Sequence, residues 1–87
     1  MAKRNLIFTL EAWDDYTHWI NQDRKTLKKI NKLINDTLKN PFEGLRKPEP
    51  LKENYAGYWS RRIDDKNRLV YTVTDAAICV VGCRFHY

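Results

Sequence analysis

The stretch YAGYWSRRIDDKNRLVYTVTDAAICVVGCRF, residues 55–85, decides the fold. Three runs within it, YAGYWSRRI, RLVYTVT and AICVVGCRF, have the period-two pattern that is typical of β-strands. Polar turns separate these runs near residues 64–67 and 75–76. Because strands joined by short turns pair side by side in opposite directions, this half of the chain predicts an antiparallel sheet.

The first half of the chain predicts a short strand followed by two helices. NLIF at residues 5–8 reads as the strand, and Thr9 and Asp23 are suited to cap the two helices because their side-chain oxygens can accept from unpaired backbone N–H groups. Apolar residues recur at helical spacing in the first helix at Trp13, Tyr16 and Ile20. In the second helix they form a stripe of Leu27, Ile30, Ile34 and Leu38. Pro41 is expected to end the second helix.

Residues 40–54, NPFEGLRKPEPLKEN, contain all three prolines and predict a long, functional loop. The resulting order predicts an α+β fold, with a short N-terminal strand and two antiparallel helices packed on a mainly antiparallel sheet. A chain of 87 residues is expected to form one domain over residues 1–87.

The composition favours an anionic partner and an intracellular location. Sixteen Lys and Arg against eleven Asp and Glu give a net charge of +5. No apolar run approaches the roughly 20 residues of a membrane span, and the N-terminus does not resemble a signal peptide, so we expect a cytoplasmic protein without membrane contact. Cys79 and Cys83 would lie about 13 Å apart on one strand, too far for a disulfide, and are expected to be reduced.

Counting outward from the two predicted turns brings several cations together. It places residues 82–86 beside residues 64–69, and Arg61 and Arg62 beside Arg68. The converging strand ends carry Arg61, Arg62, Arg68, Arg84, His86 and Tyr87. Guanidinium groups match phosphate oxygens, so the cluster predicts a phosphate-binding site. The alternative is surface pairing with Asp64, Asp65 or Glu53, and the unknown register leaves open which side chains share a face.

Glu49 and His86 add acid–base chemistry to this cluster. A histidine near its ordinary pKa can hold or release a proton at cellular pH, although a solvent-facing histidine at a frayed terminus is the alternative. Pro48 and Pro50 stiffen the backbone around Glu49 and Lys47. A carboxylate, a histidine and several cations suit RNA cleavage by the adjacent 2′-hydroxyl without a metal.

Metal and cofactor sites are not predicted. On a strand, Cys79, Cys83 and His86 would be spread apart, and His86 has the opposite parity to the two cysteines, which disfavours zinc. No glycine-rich phosphate loop is present, and we expect no cofactor.

Several motifs resemble the YoeB toxins of the RelE/ParE superfamily. They are WDDY at 13–16, KKIN at 28–31, NPFEG at 40–44, KPEPLK at 47–52, WSRRI at 59–63, RLVYTVTD at 68–75 and CRFHY at 83–87. The resemblance covers nearly the whole chain and implies a RelE-like fold.

The same resemblance implies a toxin that cleaves messenger RNA in the A site of the 70S ribosome. It further implies neutralisation by a YefM-type antitoxin, a homodimeric toxin, and binding of operator DNA only as the toxin–antitoxin complex. A ParE-like toxin that poisons gyrase and a non-catalytic basic module that binds nucleic acid are the alternatives. Neither alternative requires Glu49 or His86.

Position by position, the resemblance implies that Glu49 is the general base and His86 the general acid. Arg62 and Arg68 would stabilise the negative charge that develops on phosphorus. RNA-binding side chains would be Lys47, Lys52, Arg61, Arg84 and Tyr87.

Two positions depart from the family pattern. Arg46 stands where relatives commonly have glycine, and Phe85 replaces a tyrosine.

Overall fold

A computed structural model describes residues 3–85 of the chain. Its elements, in order, are β1 (Asn5–Phe8), α1 (Leu10–Gln22), α2 (Arg24–Lys39), β2 (Glu49–Pro50), a 3₁₀ turn (Glu53–Tyr55), β3 (Tyr58–Arg62), β4 (Arg68–Val73) and β5 (Ala77–Gly82). The five strands form one sheet in the order β1-β5-β4-β3-β2. β1 is parallel to β5, and every other pairing is antiparallel. The predicted α+β fold, with two helices on a mainly antiparallel sheet, is therefore confirmed.

Local capping residues set the bounds of both helices, as predicted. The Thr9 hydroxyl accepts a hydrogen bond from the Ala12 N–H at 3.1 Å and begins α1. Asp23 separates the helices: its own N–H closes α1 on the Trp19 carbonyl, while its carboxylate accepts from the first turn of α2. A single residue therefore ends one helix and starts the next, which brings the two helices together as a tight pair.

The core lies between the helices and one face of the sheet. Ala12, Ile30 and Ile34 are buried from the helix side. The sheet contributes Leu69, Tyr71, Ile78 and Val80 to the same cluster. Of the stripe predicted on α2, Ile30 and Ile34 are buried, whereas Leu27 and Leu38 are only partly buried.

The register of the two hairpins sets which residues share the opposite face. Arg62 lies directly opposite Arg68, as the count from the turn predicted. Pairing of β4 with β5 steps from Tyr71–Val80 to Val70–Gly82, so β5 carries one extra residue in a β-bulge. Beyond β5 the chain stays beside β4, because the Arg68 N–H donates to the Phe85 carbonyl at 3.1 Å.

The long loop over residues 40–54 is partly ordered into structure that the sequence did not predict. Its residues 49–50 pair with β3 and extend the sheet by one short edge strand. Within residues 3–85, neither helix combines the length and apolarity needed to cross a bilayer.

Candidate functional site

An open groove lies on the side of the sheet away from the helices. Its cavity has a volume of about 450 Å³ and is lined by Arg46, Lys47, Glu49, Arg62 and Arg68. The fold thus brings together four of the predicted site residues and adds Arg46, which sequence analysis singled out only as a departure from the family pattern. One carboxylate and four permanent cations share this groove, which is a composition suited to an anionic, phosphate-bearing ligand.

Glu49 reaches the groove from the edge of the sheet. It pairs with Ser60 of β3, and the next pairing is closed by a hydrogen bond of 2.8 Å from the Leu51 N–H to the Tyr58 carbonyl. Prolines are tolerated on an edge strand because one side of its backbone needs no partner. The backbone of Glu49 is therefore held by the sheet while its side chain stays exposed to solvent.

The two predicted catalytic arginines differ in their surroundings. Arg62 is half exposed and forms an ion pair with Asp65, three residues along the chain, as the surface-pairing alternative anticipated. An exposed pair of this kind is worth only about 0–1 kcal/mol, so it can be exchanged for a phosphate at little cost. Arg68 forms no ion pair with any residue between 3 and 85.

The structure overturns the expectation that Arg61 contacts RNA. Its side chain is 0% exposed and points into the protein. The guanidinium forms an ion pair with Asp36 at 2.6 Å and donates to the Tyr71 hydroxyl at 3.1 Å. It also donates to main-chain carbonyls of the 40–46 segment, those of Asn40, Glu43 and Leu45.

The alternation of side chains along a strand was the available signal. Adjacent residues on a strand point to opposite faces, so Arg61 and Arg62 cannot both enter one groove. Since Arg62 faces Arg68 on the groove side, Arg61 belongs to the face that packs against the helices.

The remaining predicted cations lie beside the groove. Lys52 is exposed and precedes the 3₁₀ turn, and it is not among the described residues that line the cavity. Arg84 is partly buried, with its guanidinium 4.6 Å from the centre of the Phe85 ring. His86 and Tyr87 lie outside the residues that the structure describes.

Side chains that sequence analysis did not identify anchor the segment before His86. The Asp15 carboxylate accepts from the Cys83 N–H at 3.0 Å, and the Trp19 indole donates to the Cys83 carbonyl at 2.8 Å. Burial raises the pKa of the Asp15 carboxyl, although the Cys83 hydrogen bond opposes this effect. Burial also raises the pKa of the free Cys83 thiol to about 12.

Asn67 joins the same segment to the turn between β3 and β4. Its side-chain oxygen accepts from the Phe85 N–H at 2.7 Å, and its amide nitrogen donates to the Asp64 carboxylate at 3.1 Å. Burial acts to raise the pKa of Asp64, but hydrogen bonds from Lys66 and Asn67 outweigh it and hold the pKa below its ordinary value. The turn and the chain up to Phe85 are therefore one hydrogen-bonded unit beside Arg68. A polar asparagine in a turn gave no sign of this role in the sequence.

No group of three His, Cys, Asp or Glu side chains within residues 3–85 is arranged to hold a metal ion. The groove instead offers a carboxylate that can accept a proton and guanidinium groups that can stabilise developing negative charge.

Comparison with known proteins identifies similar chains over the full fold. The model of the YoeB-like toxin of bacterial type II toxin–antitoxin systems matches residues 8–87. Toxin YoeB of Escherichia coli K12 is 55% identical over 82 residues, covering 94% of this chain and 98% of the relative.

Solved structures also match nearly the whole chain. The YoeB/ParE toxin from Agrobacterium tumefaciens superposes with a TM-score of 0.92 at 49% identity, covering 95% of this chain and 99% of that one. YoeB from Staphylococcus aureus, solved as a dimer, has a TM-score of 0.90 at 45% identity, covering 99% and 100% of the two chains. The same toxin has been solved in complex with YefM.

Proposed function

The chain belongs to the YoeB-like toxins of bacterial type II toxin–antitoxin systems, and on this premise we propose that it is a ribosome-dependent endoribonuclease that cleaves messenger RNA in the A site. The family membership indicated by the sequence motifs is thereby confirmed. The observation that carries the proposed activity is the groove in which Glu49 faces Arg62 and Arg68. A base and two phosphate-binding cations in one cavity are what cleavage by a neighbouring 2′-hydroxyl requires.

The proposed reaction is a transesterification within the RNA. Glu49 takes the proton of a ribose 2′-hydroxyl, whose oxygen then forms a bond to the adjacent phosphorus. The bond from phosphorus to the 5′-oxygen of the next nucleotide breaks, and His86 gives its proton to that leaving oxygen. The products are a 2′,3′-cyclic phosphate and a free 5′-hydroxyl, with no net consumption of protons.

Arg62 and Arg68 would stabilise the pentacovalent phosphorane. The negative charge on its non-bridging oxygens is greater than that of the ground-state phosphodiester, so guanidinium donors bind it more tightly and lower the barrier. Lys47 lines the groove, where its ammonium group would hold the RNA backbone. We propose further RNA contacts for Lys52, Arg84 and Tyr87. Arg61 is not proposed as an RNA contact, because its side chain is buried.

The partners proposed for this chain follow from its relatives. By similarity to the Staphylococcus aureus toxin, we assign it a homodimeric state and a YefM-type antitoxin. The ribosome and messenger RNA are the partners that the proposed activity requires. Operator DNA would be bound only by the toxin–antitoxin complex, and the site of action would be the cytoplasm.

The proposal is tested by cleavage of a defined messenger RNA on purified 70S ribosomes, read by primer extension. Glu49→Gln and His86→Ala should each lower the single-turnover rate about 10²–10⁴-fold, as removal of a general base or acid does. Glu53→Gln is the matched control, since this exposed glutamate lies four residues from Glu49 and does not line the groove. It should cleave at the wild-type rate.

Three results would contradict the proposal. Normal cleavage by Glu49→Gln would remove the base from the mechanism. Gyrase-dependent DNA breaks with intact messenger RNA would instead favour the ParE-like alternative, and tight RNA binding without cleavage would favour the basic binding module.

A further inference from the structure

Ser60 is the one anomaly in the polar bonding of the described chain. Ser60 is 2% exposed. Its Oγ is the only buried side-chain nitrogen or oxygen within residues 3–85 that has no hydrogen-bond partner. Native proteins pair nearly all buried polar groups, so an unpaired hydroxyl calls for a specific explanation. A hydroxyl that has no partner in one arrangement of the neighbouring side chains can donate a hydrogen bond in another.

The location of Ser60 indicates what that partner is. It lies directly opposite Glu49 on β2 and directly opposite Val70 on β4. Residues that face each other across antiparallel strands have Cβ atoms about 5 Å apart, which is within reach of a glutamate carboxylate. The Val70 side chain has no acceptor, so of the two facing side chains only that of Glu49 can accept a hydrogen bond from the hydroxyl.

Among residues 3–85, the other neighbours on this face offer no competing charged acceptor. Arg62 lies two residues after Ser60 on the same strand and Arg68 lies diagonally across, and guanidinium groups only donate hydrogen bonds. Tyr58 and Thr72 form the next pair along the face and bear neutral hydroxyls. A charged carboxylate accepts a stronger hydrogen bond than either hydroxyl.

We propose that Ser60 is a positioning residue for Glu49, its hydroxyl donating to the carboxylate and holding it in the groove. The exposed Glu49 side chain forms no such bond in the structure and makes it by rotation about its own side-chain bonds. This inference rests on the proposed role of Glu49 as the general base. Its consequences are a narrower range of carboxylate positions near the 2′-hydroxyl and a preference for the ionised form that a base requires.

The pH dependence of the reaction must be separated from other titrating groups. The charged side chains that face Glu49 in the groove are Arg46, Lys47, Arg62 and Arg68. All four are basic side chains, so Glu49 is the only carboxyl group among the described residues that line the groove. His86, the proposed acid, ionises near neutral pH, so the rate profile alone does not isolate Glu49.

The experiment therefore measures Glu49 directly. The side-chain carboxyl carbon is followed by NMR during a pH titration of the free protein, in wild type, Ser60→Ala and Thr72→Val. A donated hydrogen bond stabilises the carboxylate, so Ser60→Ala should raise the pKa of Glu49 by about 0.5–1 unit. Thr72→Val, which removes a hydroxyl from the same face one pair away, should leave that pKa unchanged.

Single-turnover cleavage on ribosomes gives the second reading. In Ser60→Ala the acid limb of the rate profile should move to higher pH by the same amount. On that limb the rate should fall about three- to tenfold, and this loss should become smaller toward neutral pH. A purely structural role for Ser60 would lower the rate equally at every pH. Ser60→Cys, of similar size and with a weaker donor, serves if the alanine variant does not fold, and it should shift both readings in the same direction.

An unchanged pKa of Glu49 in a folded Ser60→Ala protein overturns the inference, and unaltered or increased stability of that variant would then mark the hydroxyl as idle. If wild type does not cleave RNA while the pKa difference is present, the proposed function fails and the Ser60–Glu49 hydrogen bond stands. The two failures are thus distinguishable.

Discussion

At residue 61 a full positive charge lies inside the protein. Removing one partner of a buried ion pair is costly because the other charge is left without compensation. The charge of Arg61 is compensated by Asp36, the Tyr71 hydroxyl and three loop carbonyls, so every nitrogen of its guanidinium donates a hydrogen bond. The same bonds tie the loop at residues 40–46 to β3, at the residue next to Ser60, which pairs with Glu49. Arg61 thus supports the site without entering it.

We expect the stability of the protein to fall in acid partly through Asp36. Hydrogen bonds from the Arg61 guanidinium and the Leu45 N–H hold the pKa of Asp36 below its ordinary 3.8 in the folded state. A carboxyl with a lowered folded pKa stabilises the protein above its unfolded pKa, and this contribution is lost as the pH falls below about 3.8.

Asp36→Asn should therefore lose about 2–4 kcal/mol of unfolding free energy at pH 7. Its further loss on acidification should be smaller than that of wild type. Urea unfolding at a series of pH values from 2 to 7 measures both, with the exposed Asp75→Asn as control. Parallel curves for wild type and Asp36→Asn would show that Asp36 has no such linkage to folding.

At the scale of elements, short-range signals were predictable and edge pairing was not. Thr9 and Asp23 carry their capping chemistry within one turn of the chain, so both helices could be placed from the sequence. β2 has only two residues and owes its existence to β3, so no periodicity within residues 40–54 could indicate it. The facing of Arg62 and Arg68 followed from counting, whereas the inward direction of Arg61 needed the register.

In the loop that carries Glu49, three residues between positions 44 and 47 have a left-handed backbone. Gly44, Arg46 and Lys47 have φ values of 105°, 62° and 44°. A Cβ on Gly44 would also lie 2.4 Å from the Asp36 carboxylate, so a side chain there would disturb the Arg61 network. The glycine that the family resemblance leads one to expect at position 46 would suit its left-handed backbone. Here Arg46 occupies it and donates to the carbonyls of Arg62 and Ile63.

Substitutions at position 46 should separate backbone strain from side-chain bonding. Arg46→Ala loses the side-chain hydrogen bonds and keeps the left-handed strain, whereas Arg46→Gly loses the bonds and relieves the strain. We expect the glycine variant to be more stable than the alanine variant by about 1 kcal/mol in urea unfolding.

A helical position provides the matched control. At the exposed Lys28 of α2, glycine should be less stable than alanine by about 1 kcal/mol, which is the opposite order. An alanine variant at position 46 as stable as the glycine variant would mean that this residue does not hold a left-handed conformation in solution.

At the scale of the whole molecule, part of the positive charge behind the net charge of +5 is concentrated in the groove. Of the described residues that line the groove, four are cations and one is a carboxylate, so together they are strongly positive. An RNA strand entering the groove would displace condensed counterions from its phosphates, which makes the affinity fall with salt concentration. The excess of positive charge could be read from the sequence. Only the strand register showed that some of these cations line one cavity, whereas the Arg61 side chain is buried in the protein.

Binding to ribosomes should therefore be salt-dependent in a residue-specific way. With Glu49→Gln as a non-cleaving background, the logarithm of the association constant should decrease linearly with the logarithm of the KCl concentration. Adding Lys47→Gln should reduce that slope by about 0.7, the value for one single-stranded phosphate contact. Lys3→Gln, an exposed lysine at the far end of the described chain, should leave it unchanged. Equal slopes for Lys47→Gln and its background would place Lys47 away from the RNA, because a cation in contact with a phosphate cannot be removed without changing the number of counterions released.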